Sequence, residues 1–336
     1  MRAVYVTKFG GPEVLEVRDV PEPVPGAGEV LVDVVAADVM FLDTRLRSGW
    51  GTDFFPVEPP YVPGGAIGGV VAAVGPDVDP SWVGTRVSTA TVRSGIGGGL
   101  PIGGYAEKAL SRAETLTPVP DDVTLEQAVA LTHDGKTALA VFDRAAIESG
   151  EWVLITAAAG GLGTLLTQRA RTAGAKVIAA ARGAAKLEVA RRLGADVLVD
   201  YSEPGWVDEV RAATGGPGAQ VVLDGAGGEL GGAAVEALAD GGRFIGYGSA
   251  AGDFAAVDTD AAQQRGLTVL GLFDIASDAT DWSALAERAL AEVAAGRWEV
   301  VIGQTFPLAE ADRAHAAIDS RGAIGRTLLS NTNRPK

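Results

Sequence analysis

Between Thr156 and Ala170 the chain reads TAAAGGLGTLLTQRA, a glycine turn set between an apolar run and a helix-forming one. The residues before it, Trp152-Val153-Leu154-Ile155-Thr156, are β-branched and apolar at successive positions, the pattern of a strand covered on both faces in a parallel sheet. Ala158-x-Gly160-x-x-Gly163 follows, the spacing GxGxxG with Ala in the first place. In a strand-turn-helix unit Gly160 lets the backbone approach a pyrophosphate and Gly163 lets helix and strand pack. A helix opening near Leu162 aims its N–H groups and its dipole at the anion. Ala158, Gly160, Gly161, Leu162 and Gly163 are therefore candidate contacts to a nucleotide cofactor. The other reading is an ordinary strand-to-helix turn in a chain rich in Gly and Ala, and the flanking strand and helix favour the first.

At 336 residues the chain is long for one hydrophobic core, so two domains are expected. A net charge of −15 argues against nucleic acid or an anionic membrane as partner, because both are recognised through basic surfaces. There is no cysteine, hence no disulfide, no thiolate zinc site and no cysteine nucleophile. The opening MRAVYVTKFGGPEVLEV carries no apolar signal segment, and no later run reaches membrane length without Gly or charge. A cytoplasmic protein acting on a small molecule is the expectation.

Residues 1–123 alternate short Val-rich runs with Gly and Pro, the rhythm of a small, irregular β-barrel-like unit. From 124 strands and helices take turns, with strands near 152–157, 176–181, 197–199, 219–224, 243–247 and 267–271. Alternation at this period predicts a six-stranded, doubly wound parallel sheet over 124–271. After 272 come two amphipathic helices, DWSALAERALAEVAAG and AEADRAHAAIDS, and a last strand RTLLS. This tail, 272–336, can pack back on the N-terminal unit and make that domain discontinuous. His315 reads as an exposed residue on the polar face of the second helix. The glycine tract SGIGGGLPIGG at 94–104 reads as a mobile loop, either a lid or a surface connection.

In dinucleotide folds an acidic residue ending the second strand holds the adenosine ribose and repels a 2′-phosphate. Here the second strand, Lys176–Ala181, ends in Ala181, and Arg182 and Lys186 follow. Two cations at that place suit a phosphate, which Arg grips through two parallel hydrogen bonds. The cofactor expected is NADPH rather than NADH; the bland alternative leaves both cations solvated at a helix start.

Seven ordered segments carry a resemblance over nearly the whole chain: MRAVYVTKFGGPEVLEV, VPGGAIGGVVAAVG, GGYAE, DGKTAL, AAAGGLG, ADGGRFIGYG and PLAEADRAHAAIDSRGAIGRTLL. They are similar to the zinc-independent quinone oxidoreductases, a branch of the medium-chain dehydrogenase/reductase superfamily. The resemblance implies an α/β architecture: a GroES-like β-barrel catalytic domain, an inserted Rossmann domain, and hydride transfer in the cleft between them. It also implies that Lys186, Tyr201 and Arg321 grip the 2′-phosphate, and that a sheet-edge strand at 267–271 builds a homodimer. Alternatively, Tyr201 caps the third strand and Arg321 is a surface loop residue.

Alcohol dehydrogenases of the superfamily hold zinc through Cys, His and Cys. The matching positions here are Met40, Gly65 and Ala130, with Ala66 in place of the Glu that follows the His. None of these side chains is a ligand set for zinc, so no metal is expected and alcohol oxidation is disfavoured. Many quinone-reductase relatives carry Asn at Met40 and Tyr after RSG. Here Trp50-Gly51 follows RSG, and Trp50, Phe54, Phe55 and Tyr61 either reshape the pocket or simply pack.

Hydride transfer from NADPH to a carbon conjugated to a carbonyl depends mainly on positioning. Met40, Asp43, Trp50, Ile96, His133 and Thr137 are the candidate substrate-pocket residues, with Tyr247 beside the cofactor. His133 can hand a proton or a hydrogen bond to the substrate, or sit without a chemical role at the start of the helix that DGKT opens. DGKT lacks the glycine spacing of a P-loop. Quinone or enone reduction leads. An enoyl-thioester or secondary-metabolism reductase, a non-catalytic NADPH-binding protein and a metal-dependent alcohol dehydrogenase are the alternatives.

Overall fold

A computed structural model describes residues 1–53, 55–91, 100, 102–276 and 280–331. In chain order its elements are β1 (Arg2–Val6), β2 (Leu15–Asp19), β3 (Glu29–Val39), α1 (Phe41–Arg47), β4 (Ala66–Val74), β5 (Arg86–Ala90), β6 (Lys108–Arg112), β7 (Thr117–Pro118) and α2 (Leu125–Ala145). Next come β8 (Trp152–Thr156), α3 (Gly161–Thr172), β9 (Lys176–Ala181), α4 (Ala184–Arg192), β10 (Val197–Asp200), α5 (Trp206–Ala213), β11 (Ala219–Asp224), α6 (Gly228–Glu236), β12 (Leu238–Gly246), α7 (Thr259–Gln264) and β13 (Thr268–Gly271). The chain closes with α8 (Trp282–Ala294), β14 (Ile302–Pro307), α9 (Ala311–Asp319) and β15 (Arg326–Ser330). Two compact units divide it: Met1–Gly135 with Ser283–Lys336, and Lys136–Trp282.

The first unit is built on a seven-stranded sheet in the order β14-β15-β3-β4-β5-β7, with β6 also paired to β3. β3 is its spine: one edge carries β15 and β6, the other β4, so nearly all eleven residues of EVLVDVVAADV are covered. Val32, Val34, Ile67, Val71, Tyr105, Ile318 and Leu329 meet in its core. β14 escaped the sequence reading because IGQTFP mixes polar and apolar residues without a strand-like run; parallel pairing with β15 makes it a strand.

A triad of charges is enclosed beside β3. Arg326, opening β15, donates through Nε to Asp38 Oδ1 at 3.0 Å, pairs with Asp38 Oδ2 as well, and reaches Asp134 Oδ2 of α2 at 3.1 Å. Asp38 is 1% exposed. Burial pushes its carboxyl up to about 6, against the pull of Arg326.

The second unit is a six-stranded parallel sheet in the order β10-β9-β8-β11-β12-β13. The chain winds outward from β8 to β10, then restarts at β11 on the other side of β8. The switch point between β8 and β11 is where such sheets receive ligands, at the carboxyl ends of the strands. Leu154, Ile178, Val199, Val222 and Phe244 fill the core, which explains the continuous apolar runs. β13 lies at the edge, and its residues are exposed or half-buried.

α2 corrects one expectation. The helix does not open at Gly135-Lys136-Thr137 but ten residues earlier, at Leu125. Thr124 Oγ1 accepts from the Gln127 N–H at 3.1 Å and Gln127 Oε1 from the Thr124 N–H at 3.0 Å, a reciprocal cap that T-L-E-Q announces. His133 therefore lies in the interior of a helix. Gly135 serves packing: a Cβ there would stand 2.7 Å from Ala289 of α8.

Candidate functional site

The glycine turn is built as its spacing predicts. β8 ends at Thr156, Ala157 takes a left-handed φ of 49°, and Gly160 caps α3 in extended conformation without a side-chain hydrogen bond. The first intrahelical bond runs from the Thr164 N–H to Gly160 O, so helix geometry supplies no acceptor for the N–H groups of Gly161, Leu162 and Gly163. Ala158 is fully buried beneath the turn. A Cβ on Gly163 would meet Ala157 O at 2.5 Å and Ala158 Cα at 2.8 Å, so only glycine fits where α3 leaves β8. A Cβ on Gly160 would meet only Ala157 O, at 3.3 Å. The fold itself thus demands little of Gly160, which suits a position kept bare for a ligand.

Across the switch point a polar knot fixes the facing loop. Thr156 Oγ1 donates to Asp224 Oδ1 at 2.5 Å and accepts from the N–H groups of Gly225 and Ala226 at 3.0 and 3.1 Å. Asp224 also accepts from the Ala226 and Gly227 N–H groups. Burial raises its carboxyl, against these bonds. Gly231 must lack a side chain, since a Cβ would lie 2.4 Å from Asp224 Oδ2. Tyr247, after β12, lies flat against Gly225, where a Cβ would stand 2.8 Å from its ring.

Arg182 directly follows β9, Lys186 lies just beyond it in α4, and Tyr201 directly follows β10. Ala181, 1% exposed, pairs with Asp200, which accepts from the Gly183 N–H at 2.8 Å and so shapes the turn into α4. Burial of Asp200 is outweighed by hydrogen bonds from Ser202 and Gly183 and by the charge of Arg182, which together hold its carboxyl below the usual range. Arg182 is exposed, Lys186 lies in the first turn of α4, and the Tyr201 ring meets Trp206 edge-on at 6.5 Å. Arg321 belongs to the first unit. It is exposed at φ 59°, and its guanidinium lies 4.8 Å above the Phe41 ring.

In the first unit, Met40 caps α1, Asp43 lies in its first turn, and Trp50 in the turn after it. Asp43 is 1% exposed and heads a chain of hydrogen bonds. Its Oδ2 accepts from the Met40 N–H at 2.9 Å and from the Tyr105 hydroxyl at 3.1 Å. Tyr105 Oη lies 3.1 Å from His315 Nε2, and Arg47 Nη1 lies 3.1 Å from His315 Nδ1. Arg47 closes the chain on Asp319 at 2.8 Å. The directions follow from the two ends: guanidinium only donates, so Nδ1 accepts, and Tyr105 spends its one proton on Asp43, so Nε2–H must donate to Oη. His315 is therefore neutral, held at about 3 first by burial and then by the Arg47 charge. Burial likewise lifts Asp43 to about 7.

This overturns the exposed reading of His315, which is fully buried. The stripe Ala311, Ala314, His315, Ile318 is the buried face of α9, and that spacing already placed the imidazole inward. Tyr105, Arg47 and Asp319 were missed altogether, because residues of β-sheet, loop and helix far apart in sequence give no joint signal. Phe55 and Tyr61 pack into an apolar cluster with Val6, Val14, Leu46 and Val57. His133 is half-buried, and Thr137 follows one turn later on α2. Ile96, Phe54 and most of the glycine tract at 94–104 lie outside the described residues.

Residues 26–121 match the family model described as alcohol dehydrogenase GroES-like domain, and residues 161–291 the one described as zinc-binding dehydrogenase. The chain is 33% identical to a quinone oxidoreductase of Sus scrofa, covering 98% of this chain and 97% of that protein. It is also 33% identical to a 2-haloacrylate reductase of a Burkholderia species, covering 97% and 98%. A mycobacterial protein solved in complex with NADPH superposes with a TM-score of 0.85 at 34% identity, over 98% of this chain and 100% of that one. The zinc named by the second model does not fit this chain. Met40 offers a thioether, Gly65 no side chain, and Ala130 a methyl packed against Ala36, Ala66 and Leu328. Among the described residues no group of three or more His, Cys, Asp or Glu is placed to hold a metal ion. With both domains matched in order and relatives aligned end to end, the chain belongs to the quinone oxidoreductase branch of the medium-chain dehydrogenase/reductase superfamily.

Proposed function

We propose that this protein is an NADPH-dependent, metal-independent reductase whose acceptor is a quinone or an α,β-unsaturated carbonyl. The observation that carries the reading is the substitution of Met40, Gly65 and Ala130 at the positions where a zinc-dependent relative would hold its metal. Without a Lewis acid, the acceptor must already be electrophilic. The relatives named for quinones and for 2-haloacrylate support an activated acceptor.

Ala158 and Gly160–Gly163 would hold the pyrophosphate, through the N–H groups that open α3. Arg182, Lys186 and Tyr201 would hold the 2′-phosphate, Arg321 joining them by the family likeness, and Tyr247 would flank the cofactor. NADPH supplies the hydride. Met40, Asp43, Trp50, His133 and Thr137 serve the acceptor: Trp50 by stacking, Asp43 through the buried chain that fixes the start of α1, and His133 by a hydrogen bond or proton at the carbonyl oxygen.

Oxidation of NADPH by 9,10-phenanthrenequinone, by simple enals and by a crotonyl thioester tests this. Turnover with the quinone or enal is expected; turnover confined to the thioester selects the runner-up. Tight NADPH binding with no acceptor reduced would mark a binding protein instead. For cofactor choice, replacing Arg182 and Lys186 by Ala is expected to lower the NADPH/NADH affinity ratio at least tenfold, and an unchanged ratio refutes the phosphate site.

A homodimer through β13 belongs to the same reading. Val269 on that edge strand and Phe273 just after it are 37% and 76% exposed, and an unpaired strand edge invites pairing. A monomer in light scattering at micromolar concentration would overturn it. No helix among the described residues is long and apolar enough to cross a membrane. A cytoplasmic location belongs to the same reading, and fractionation of the native host tests it.

A further inference from the structure

We propose that Arg45 selects acceptors that carry a carboxylate. The inference rests on the acceptor-reduction reading and gives its substrate class.

Arg45 lies on α1 between Met40 and Trp50, within the stretch that serves the acceptor. Its guanidinium sits 4.8 Å from the Trp50 ring centroid, and the Trp50 N–H donates to Arg45 O at 3.1 Å, so the turn after α1 holds the indole beneath the cation. Yet Nε of Arg45 is buried with no hydrogen-bond partner, and the side chain has no carboxylate partner among the described residues. The chain has 43 acidic residues against 28 basic ones, and several enclosed cations are paired: Arg47 with Asp319, Arg326 with Asp38 and Asp134, Lys108 with Glu22 and Asp33. Arg169 of α3, stacked on Phe142, also keeps a buried, unpartnered Nε, but of the two only Arg45 lies beside Met40 and Trp50. A desolvated donor left unmatched in an acidic chain calls for an acceptor from outside.

The geometry suits a planar anion. A guanidinium laid on an aromatic face keeps its N–H edges in one plane and has little freedom left to lose, so it meets a carboxylate with two parallel hydrogen bonds.

The test compares trans-3-benzoylacrylate with its methyl ester, which share one enone and differ by one charge. Wild-type protein with NADPH is expected to show a higher kcat/KM for the acid, carried by KM. In Arg45→Met the acid-to-ester ratio is expected to fall about ten- to a hundredfold, the size of a lost charged hydrogen bond. Arg45→Lys keeps the charge without the fork and should restore part of the ratio. Arg45→Gln, close in length, stands in should Arg45→Met fail to fold. An equal ratio in wild type and variant overturns the proposal. If neither compound is reduced, the acceptor reading fails separately, and calorimetry of benzoate against benzamide on the NADPH-loaded protein decides this one. Benzoate binding that requires Arg45 supports it, and absent or Arg45-independent binding overturns it.

Discussion

Replacing Arg326 by Met removes the cation shared by Asp38 and Asp134 while keeping most of the apolar stem. Both carboxylates would stay enclosed, Asp38 at 1% exposure, with no neutralising partner. Breaking a buried pair from one side costs about 3–5 kcal/mol, a large share of the 5–15 kcal/mol typical of folded domains. The cost must depend on pH. Asp38 has its folded carboxyl raised to about 6 from 3.8, so in that window the native state binds more protons than the unfolded one and stability falls as pH rises. Without Arg326 the carboxyl rises further. The deficit of Arg326→Met is thus expected to be full at pH 8 and smaller at pH 5, where protonation removes the uncompensated charge. Urea unfolding followed by tryptophan fluorescence at both values measures it. Changing Asp38 and Asp134 to Asn as well should recover part of the loss at pH 8. A deficit below about 1 kcal/mol at pH 8, the size of a surface pair, or one that grows on acidification, would refute the buried triad.

Gly163→Ala puts a methyl 2.5 Å from Ala157 O, a backbone atom that moves only with the turn, so NADPH affinity is expected to drop at least tenfold; an unchanged Kd means the turn does not hold the pyrophosphate. His315 has a folded value near 3 against 6.5 unfolded, so the unfolded state binds the extra proton and stability from this group is lost as pH falls from 6.5 to 3. His315→Phe strands a donor on Arg47 and an acceptor on Tyr105 at a cost of about 1–3 kcal/mol near neutral pH, and its gap from wild type should shrink on acidification. A gap independent of pH in urea midpoints contradicts the neutral, buried imidazole. Asp43, raised to about 7, works in the opposite sense, so Asp43→Asn should weaken any gain in stability between pH 7 and 4.

Much of the second unit was legible because its information is local. Five apolar runs and one edge run became strands, and the glycine spacing placed its turn within a residue, since a parallel sheet covered on both faces leaves no polar alternation to misread. The start of α2 was written in Thr124 and Gln127 and overlooked. His315 was misread because its polarity was weighed above its place in the stripe of α9.

The sequence by itself determined the glycine turn between β8 and α3 and the basic pair after Ala181, each carried by residues within a short window whose chemistry does not depend on distant partners, while the absence of zinc donors at Met40, Gly65 and Ala130 was read through the family resemblance. Only the tertiary structure decided which charges are enclosed and paired. Asp38 and Arg326 stand 288 positions apart, and Arg47 reaches His315 across 268. Burial and partnership are properties of three-dimensional neighbours, so the protonation of Asp43, the tautomer of His315 and the unclaimed donor of Arg45 appear only once β3, α1, α9 and β15 are packed together.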